Sequence, residues 1–447
     1  MGLASMAAVL KQQGHEVVVY DAELLDKGET LSWTAVAGRH SDYLKALETP
    51  GHPVWSEIEE TVRSISPDVV GITALSVKAA SAIRTAEISK SVDPGITTVV
   101  GADHPTALPE QFLNHPCIDF AVRGEGEGTF ADLISCLEQG RNLGDGMIAG
   151  VSGRIDGAIV HGPDREPITD LDALPLPAID CLLHADRYRP LDFGSIMTSR
   201  GCPYACTFCG VATVWGRKVR NRSPKAVVDE MEGLKQRFGT SYFSFRDASF
   251  TLSRERVEEI CRLIIDRQLD IRWECLTRTD LLDEDMLELM SASGCVTVRL
   301  GIESGSPRIL EYMGKTPSLD LVRDAAARMN RLGFYWTAYI LLGTPHETAE
   351  SMQQTMDFVA EIDPPYVTMA RFAPIPGTAM YQELEVNGMI SPDIDWSQEC
   401  NQRLSSHYVY AMSESEFEEK LAAFAAFVEV RNTAKSAQLG ARDQRLK

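Results

Sequence analysis

No apolar run in the chain approaches the roughly 18 residues that a membrane-spanning helix needs, so none is expected. Met1 to Leu10 lacks the basic region and the cleavage site of a secretory signal. Internal repeats and low-complexity tracts are absent, which excludes solenoid and fibrous architectures. Positive charge is in short supply: 43 Lys and Arg stand against 64 Asp and Glu, a formal net charge of −21. Phosphate backbones reward cations, so a large nucleic acid is not an expected partner. One local exception is the basic run Arg217-Lys218-Val219-Arg220-Asn221-Arg222, which fits a phosphate or carboxylate contact and a solvated surface equally well. The 10 cysteines show no regular pairing, which argues against a disulfide framework and for a reducing compartment, the cytoplasm. Cys117, Cys136, Cys181, Cys261, Cys275, Cys295 and Cys400 read as small buried apolar residues. There is also no second CxxC pair and no HxxxH pair, so the usual closing ligands of a structural zinc site are missing.

What is present suits a soluble globular protein: 447 residues, 44% hydrophobic and 24% charged, long enough for two or three cores. Residues 1–157 alternate strand candidates (Glu16–Tyr20, Val69–Leu75, Thr97–Gly101, Phe120–Arg123, Ile148–Arg154) with helix candidates (Leu3–Gln13, Val54–Ser64, Ala79–Ser91, Phe130–Gln139). That alternation predicts an α/β domain with a doubly wound parallel sheet, Rossmann- or flavodoxin-like, whose ligands bind beyond the carboxyl ends of its strands. Residues 158–193 carry five prolines, from Pro163 to Pro190, and read as a linker. Over 194–390 strands at Ser195–Ser199, Tyr242–Phe245, Ile271–Leu276, Val296–Gly301, Tyr335–Leu342 and Tyr366–Phe372 alternate with five helices. These are Ser223–Phe238, Ser253–Gln268, Asp283–Ser293, Leu319–Leu332 and Thr348–Ile362, and the whole predicts a partial (β/α)6 barrel. Residues 391–447 form an acidic helical region, with Glu414–Thr433 its best helix.

The most informative stretch is Arg200-Gly201-Cys202-Pro203-Tyr204-Ala205-Cys206-Thr207-Phe208-Cys209-Gly210, with the spacing Cys-x3-Cys-x2-Cys. It follows the first barrel strand, at the end where barrels build active sites. A short loop with this spacing can turn three thiolates toward one point, as an iron–sulfur cluster requires. Three ligands for four irons leave one iron open to a small molecule. The stretch resembles the signature of the radical S-adenosylmethionine (SAM) enzymes. That resemblance implies a [4Fe-4S] cluster on Cys202, Cys206 and Cys209, with SAM on the open iron. One electron passed into the sulfonium then gives a 5′-deoxyadenosyl radical that abstracts hydrogen from an unactivated carbon.

Further segments resemble the family in order. Phe208 matches a position facing the SAM adenine, and also suits a hydrophobic plug. Phe245-Arg246-Asp247-Ala248-Ser249-Phe250 is similar to Phe-x-Asp-Asp-x-Phe, keeping Asp247 but carrying Ala248 in place of the second acid. Trp273-Glu274-Cys275-Leu276-Thr277-Arg278 places an arginine that could balance a carboxylate or form a surface ion pair. Gly301-Ile302-Glu303-Ser304-Gly305-Ser306 brings Glu303 and Ser304 to SAM, where an acid suits two sugar hydroxyls. Leu342-Gly343-Thr344-Pro345-His346-Glu347 resembles a Gly-x-Pro-x-Glu turn, in which Gly343 lets the backbone approach adenine or makes a tight turn.

The first domain resembles the cobalamin-binding domains fused ahead of such barrels, through Gly71-Ile72-Thr73, Ser76, Gly101-Ala102-Asp103-His104-Pro105 and Arg123-Gly124-Glu125-Gly126-Glu127. The resemblance implies cobalamin held by Thr73, Ser76, Gly101, His104, Gly124, Glu125 and Gly126. The Asp-x-His-x-x-Gly motif that supplies a histidine to cobalt is absent, so His104 is expected to line the loop. The family has a strand ahead of the first helix, whereas this sequence begins at once with helical Gly2–Leu10; either Met1 is an internal start or the first strand is missing. Taken together the resemblance implies a cobalamin-dependent radical SAM enzyme, most simply a methyltransferase acting on an unactivated carbon. It would take a small-molecule substrate and a one-electron reductant such as flavodoxin or ferredoxin. A radical cyclase related to tetrapyrrole ring formation is the enzymatic alternative, and a cofactor-binding sensor without turnover is the non-enzymatic one. Catalytic side chains are not assigned; Tyr335, Trp336, Tyr339 and Arg371 suit a pocket lining or core packing equally.

Overall fold

The computed structural model describes residues 2–22, 33–141, 146–315, 318–391, 393–400 and 406–440. They form two compact units: one from the described residues of Met1–Arg189, Phe208–Lys218 and Ala373–Ser405, the other from those of Pro190–Thr207, Val219–Phe372 and Ser406–Lys447.

The first unit is built on a five-stranded sheet whose order follows the chain. Strands β1 (Val69–Thr73), β2 (Thr97–Gly101) and β3 (Phe120–Val122) are parallel, in the register Val69↔Thr97 and Val99↔Phe120. Helices Pro53–Ile65, Ala79–Val92 and Gly126–Glu138 flank them in sequence. Pro53 opens its helix where no amide donor is needed, and the helix closes on Ser66 in the left-handed region at φ 49°. The core is aliphatic: Val99, Val122, Leu133 and Val151 form one cluster, and Trp55, Ile58, Val62 and Ile96 another. Each such side chain contributes roughly 1.5–3 kcal/mol by leaving water.

Two expectations need revision in this unit. Glu16–Tyr20 alternates like a strand, yet among the described residues only Val19 pairs, in a single parallel bridge to Leu182. Residues 158–161, expected within a linker, instead form strand β5 (Ala158–His161), antiparallel to β4 (Val151–Ile155), which is itself antiparallel to β3. The intervening Asp156-Gly157 has positive φ at both residues, 49° and 82°, as a two-residue hairpin of right-handed twist requires. Further along the expected linker, Ala178 and Cys181 pack against Ala7, Ala8 and Val19.

The second unit carries a six-stranded parallel sheet. Strand β6 (Ser195–Ile196) heads it, followed by β9 (Tyr242–Phe245), β10 (Arg272–Thr277), β11 (Cys295–Glu303), β12 (Trp336–Leu342) and β13 (Tyr366–Arg371). Between β6 and β9 a short antiparallel pair intervenes, β7 (Ser199–Arg200) with β8 (Arg220–Asn221). The five expected helices are present, and Ser223 caps Pro224–Phe238 by accepting from Ala226 N at 3.2 Å. Strand β13 ends the sheet, and Asn432 of helix Glu414–Gly440 satisfies both Val367 N and Val367 O at 2.9 Å. Trp336 is fully buried with its indole N–H on Asn330, and Arg371 pairs with Glu418, so packing uses both.

Candidate functional site

Between β7 and the short helix Val211–Trp215 the chain from 201 to 210 forms no helix or strand. It carries Cys202, Cys206 and Cys209, none of them in a disulfide and all half-buried. Within the second unit the loop is braced by the turn after helix Pro307–Tyr312. Thr207 donates from its backbone N to Met313 O (3.0 Å) and from its hydroxyl to Tyr312 O (2.9 Å). Gly314, at φ +66°, lies so close that a Cβ there would stand 2.9 Å from Ala205 O. On another side Arg278, held by both carboxylate oxygens of Asp280, places its guanidinium 3.6 Å from the Tyr204 ring centroid. Burial pushes the Cys206 thiol up, while Lys315 and Arg278 pull it back toward the thiolate.

Three soft thiols with cationic neighbours and no carboxylate in the loop fit an iron–sulfur cluster. Among the described residues no three His, Cys, Asp or Glu are grouped as around a single metal ion. A four-iron cluster spreads its thiolates more widely than one ion does.

The residues expected at SAM divide by what surrounds them. Asp247 is fully buried and turned to the strand that feeds the cysteine loop. It accepts from Thr198 N (3.2 Å), Thr198 Oγ1 (2.8 Å) and Ser199 Oγ. It thereby holds Thr198 and Ser199, the segment that leads from β6 into β7. Ser304 is likewise sealed, its hydroxyl shared with Thr355 Oγ1 at 3.0 Å and accepting from Ser306 N at 3.1 Å. Glu303 ends β11 in the left-handed region at φ 66°, a strained state for a residue with a Cβ. It is held there by Lys315, whose ammonium lies 3.1 Å from Glu303 Oε1 and donates to Gly301 O at 3.0 Å. Lys315 is the residue that sequence reasoning missed, and its only signal is its place directly after the Met313-Gly314 turn. Gly343 has φ +83°, and the space of its missing side chain holds the Phe417 ring, 2.5 Å from an ideal Cβ. The positive φ and that packing both require the glycine. Phe208 lies half-buried on the turn of the cysteine loop.

Glu347, quoted only as part of a motif, is fully buried. Its Oε1 accepts from Ser351 Oγ, while Oε2 and the nearby Thr344 Oγ1 have no protein partner. Burial pushes its carboxyl up to about 7.

In the first unit the segments expected at cobalamin all lie at or just beyond the carboxyl ends of adjacent parallel strands: Thr73 ends β1 and Ser76 follows it, Gly101 ends β2 and leads to His104, and Gly124 to Gly126 follow β3. Thr106 Oγ1 ties two of these loops by accepting from Gly124 N at 3.0 Å. Gly124 needs its glycine for φ +72°, while at Gly126 the flexible Met6 side chain packs into the space a Cβ would take. Glu125 is buried and accepts from Ile168 N at 3.1 Å. Ala102 holds φ 100°, ψ −159°, a region natural only to glycine. His104 is 1% exposed; burial pushes its imidazole down to about 4, and its Nδ1 has no partner. An orphaned buried acceptor beside a strained turn, at the strand ends where such sheets take ligands, fits a bound cofactor.

An α/β unit with ligand-ready strand ends and a six-stranded parallel sheet with a three-cysteine loop after its first strand define a class of enzyme that carries several cofactors. Residues 196–359 match the radical SAM superfamily and residues 1–134 the B12 binding domain. The chain is 35% identical over 341 residues to an uncharacterized methyltransferase of Pyrococcus horikoshii, covering 75% of this chain and 73% of that one. It is 33% identical over 337 residues to the anaerobic magnesium-protoporphyrin IX monomethyl ester cyclase of Rubrivivax gelatinosus, covering 73% and 60%. Its fold matches the radical SAM methyltransferase TsrM of Kitasatospora setae, solved with cobalamin and a [4Fe-4S] cluster. There the TM-score is 0.72 at 18% identity, over 96% of this chain and 86% of that one. The chain belongs to the radical SAM superfamily, in the group that carries a B12-binding domain. Its cofactors are accordingly a [4Fe-4S] cluster, SAM and cobalamin.

Proposed function

We propose that this enzyme is a cobalamin-dependent methyltransferase that methylates an unactivated carbon of a small molecule or natural product, in the cytoplasm, with electrons from a flavodoxin- or ferredoxin-like donor. The observation that carries the reading is the Cys202, Cys206, Cys209 loop after the first strand of a parallel sheet, in one chain with a B12-binding unit. When bound, cluster, SAM and cobalamin supply the radical and methyl-transfer chemistry. The protein's part is to hold and orient. Cys202, Cys206 and Cys209 would ligate the cluster. Lys315 and Arg278 place positive charge beside Cys206, favouring the thiolate that ligation needs. Glu303, fixed by Lys315, is the acid available to SAM's sugar hydroxyls. Phe208 offers a ring for adenine. Among the described residues no helix is long and apolar enough to cross a membrane.

Anaerobic reconstitution with SAM and a low-potential reductant should yield 5′-deoxyadenosine, and Cys206→Ala should yield none. Failure of the wild type to form it with any reductant would remove the enzyme reading and favour a cofactor sensor. The cyclase similarity supports a second reading, ring closure. A product heavier by one methyl group favours methylation, and a product lighter by two hydrogens favours closure.

A further inference from the structure

The surroundings of His104 fix which of its nitrogens carries the proton. Gln111 Oε1 faces two groups at once, Trp396 Nε1 at 2.9 Å and His104 Nε2 at 2.8 Å. An indole nitrogen is only ever a donor, so the Gln111 atom it meets is the carbonyl oxygen and not the amide nitrogen. That oxygen accepts only, so the His104 nitrogen facing it must donate: Nε2 bears the hydrogen. The rings of Phe112 and Trp396 stand edge-on to the imidazole at 5.1 and 5.0 Å, and a flip of the ring would give up the bond to Gln111. Nδ1 is buried with no protein partner, and a second N–H there would be an unpaired buried cation. The ring is therefore neutral and Nδ1 is a bare lone pair. A bare lone pair accepts a hydrogen bond from an amide N–H or a hydroxyl, and it gains nothing from a phosphate, which offers no hydrogen.

We propose that Gln111 and Trp396 are positioning residues that lock His104 as the Nε2–H tautomer, so that Nδ1 accepts a hydrogen bond from a side-chain amide of the corrin. This rests on the cobalamin reading of the first unit. The lock resembles second-sphere control of a metal-bound histidine, in which the outer nitrogen sets the inner one. Here the inner nitrogen serves an organic group and not cobalt. Trp396 reaches the loop from a segment 285 residues away from Gln111 in the chain.

The test is cobalamin binding to the full chain, read by corrin absorbance and by dissociation constant, with far-UV circular dichroism confirming that each variant folds. An asparagine amide oxygen sits near the place of Nδ1, so His104→Asn should bind within about threefold of wild type. His104→Leu, which has no acceptor, should bind about tenfold more weakly, as loss of one hydrogen bond of roughly 1.4 kcal/mol predicts. Gln111→Leu should weaken binding although it never touches the ligand, because it frees the tautomer. Equal affinity of wild type and His104→Leu would overturn the proposal. So would nitrogen splitting in the electron paramagnetic resonance spectrum of the bound cob(II)alamin that His104→Leu abolishes, since it would make His104 a cobalt ligand. A wild type that takes up no cobalamin would instead sink the cobalamin reading itself.

Discussion

Glu347→Gln removes a carboxyl that the fold keeps protonated into the neutral range. The group is fully buried, and its value rises from 4.5 to about 7, with burial the main cause. At 1.36 kcal/mol per unit, a shift of this size corresponds to a cost of order 3 kcal/mol. The direction follows from where the proton sits. Below pH 4.5 both folded and unfolded carboxyls are protonated and no cost arises. Between 4.5 and 7 the unfolded chain ionises while the folded chain holds its proton, so stability falls as pH rises; above 7 the loss is complete. Glutamine keeps an oxygen to accept from Ser351 and cannot ionise. The stability difference between Glu347→Gln and wild type should therefore shift in the variant's favour by up to about 3 kcal/mol from pH 4.5 to 8. At roughly 2–4 °C per kcal/mol this is several degrees in Tm. Calorimetry or thermal-shift melts of the cofactor-free protein at half-unit pH steps read it directly. Comparing the two proteins at each pH cancels every other titrating group. If the two melting curves stay parallel over that range, Glu347 is not the buried acid described.

Two further substitutions act on the cysteine loop without touching a cysteine. Gly314→Ala puts a Cβ in the left-handed region and against Ala205 O, so it should cost about 1–3 kcal/mol and lower the iron retained per chain after anaerobic reconstitution. Unchanged iron content with a lowered Tm would mean that the turn stabilises the unit but does not set the loop. Asp247→Ala leaves the donors of Thr198 and Ser199 buried without an acceptor, at about 1–3 kcal/mol each, whereas Asp247→Asn keeps one accepting oxygen. Iron content should fall in the order wild type, Asp247→Asn, Asp247→Ala. If Asp247→Ala loads iron normally but loses SAM affinity, its role is at the ligand after all.

The parts of this protein visible in its sequence are those set by neighbours along the chain. Thr97–Gly101 and Tyr242–Phe245 are strands at the bounds their alternation gives, and Ser223-Pro224 starts a helix as its chemistry requires. Asp156-Gly157 is a hairpin turn of the same local kind, but the prolines that follow it set the expected boundary ahead of β5. Glu16–Tyr20 shows the opposite case: its pattern is strand-like, but a strand needs a partner, and Val19 finds only one bridge. Site residues divide in the same way. The three cysteines announce themselves because their spacing is the chemistry. The motif acids Asp247 and Glu303 are visible as letters, but the direction each carboxylate faces is decided by Thr198 and Ser199 for one and Lys315 for the other, all distant in sequence. His104 goes furthest. Its identity is local, yet its protonation is dictated by Gln111, whose orientation is dictated by Trp396. A tautomer, unlike a strand, is a property of contacts, so its cause lies wherever the fold happens to bring a donor that cannot accept.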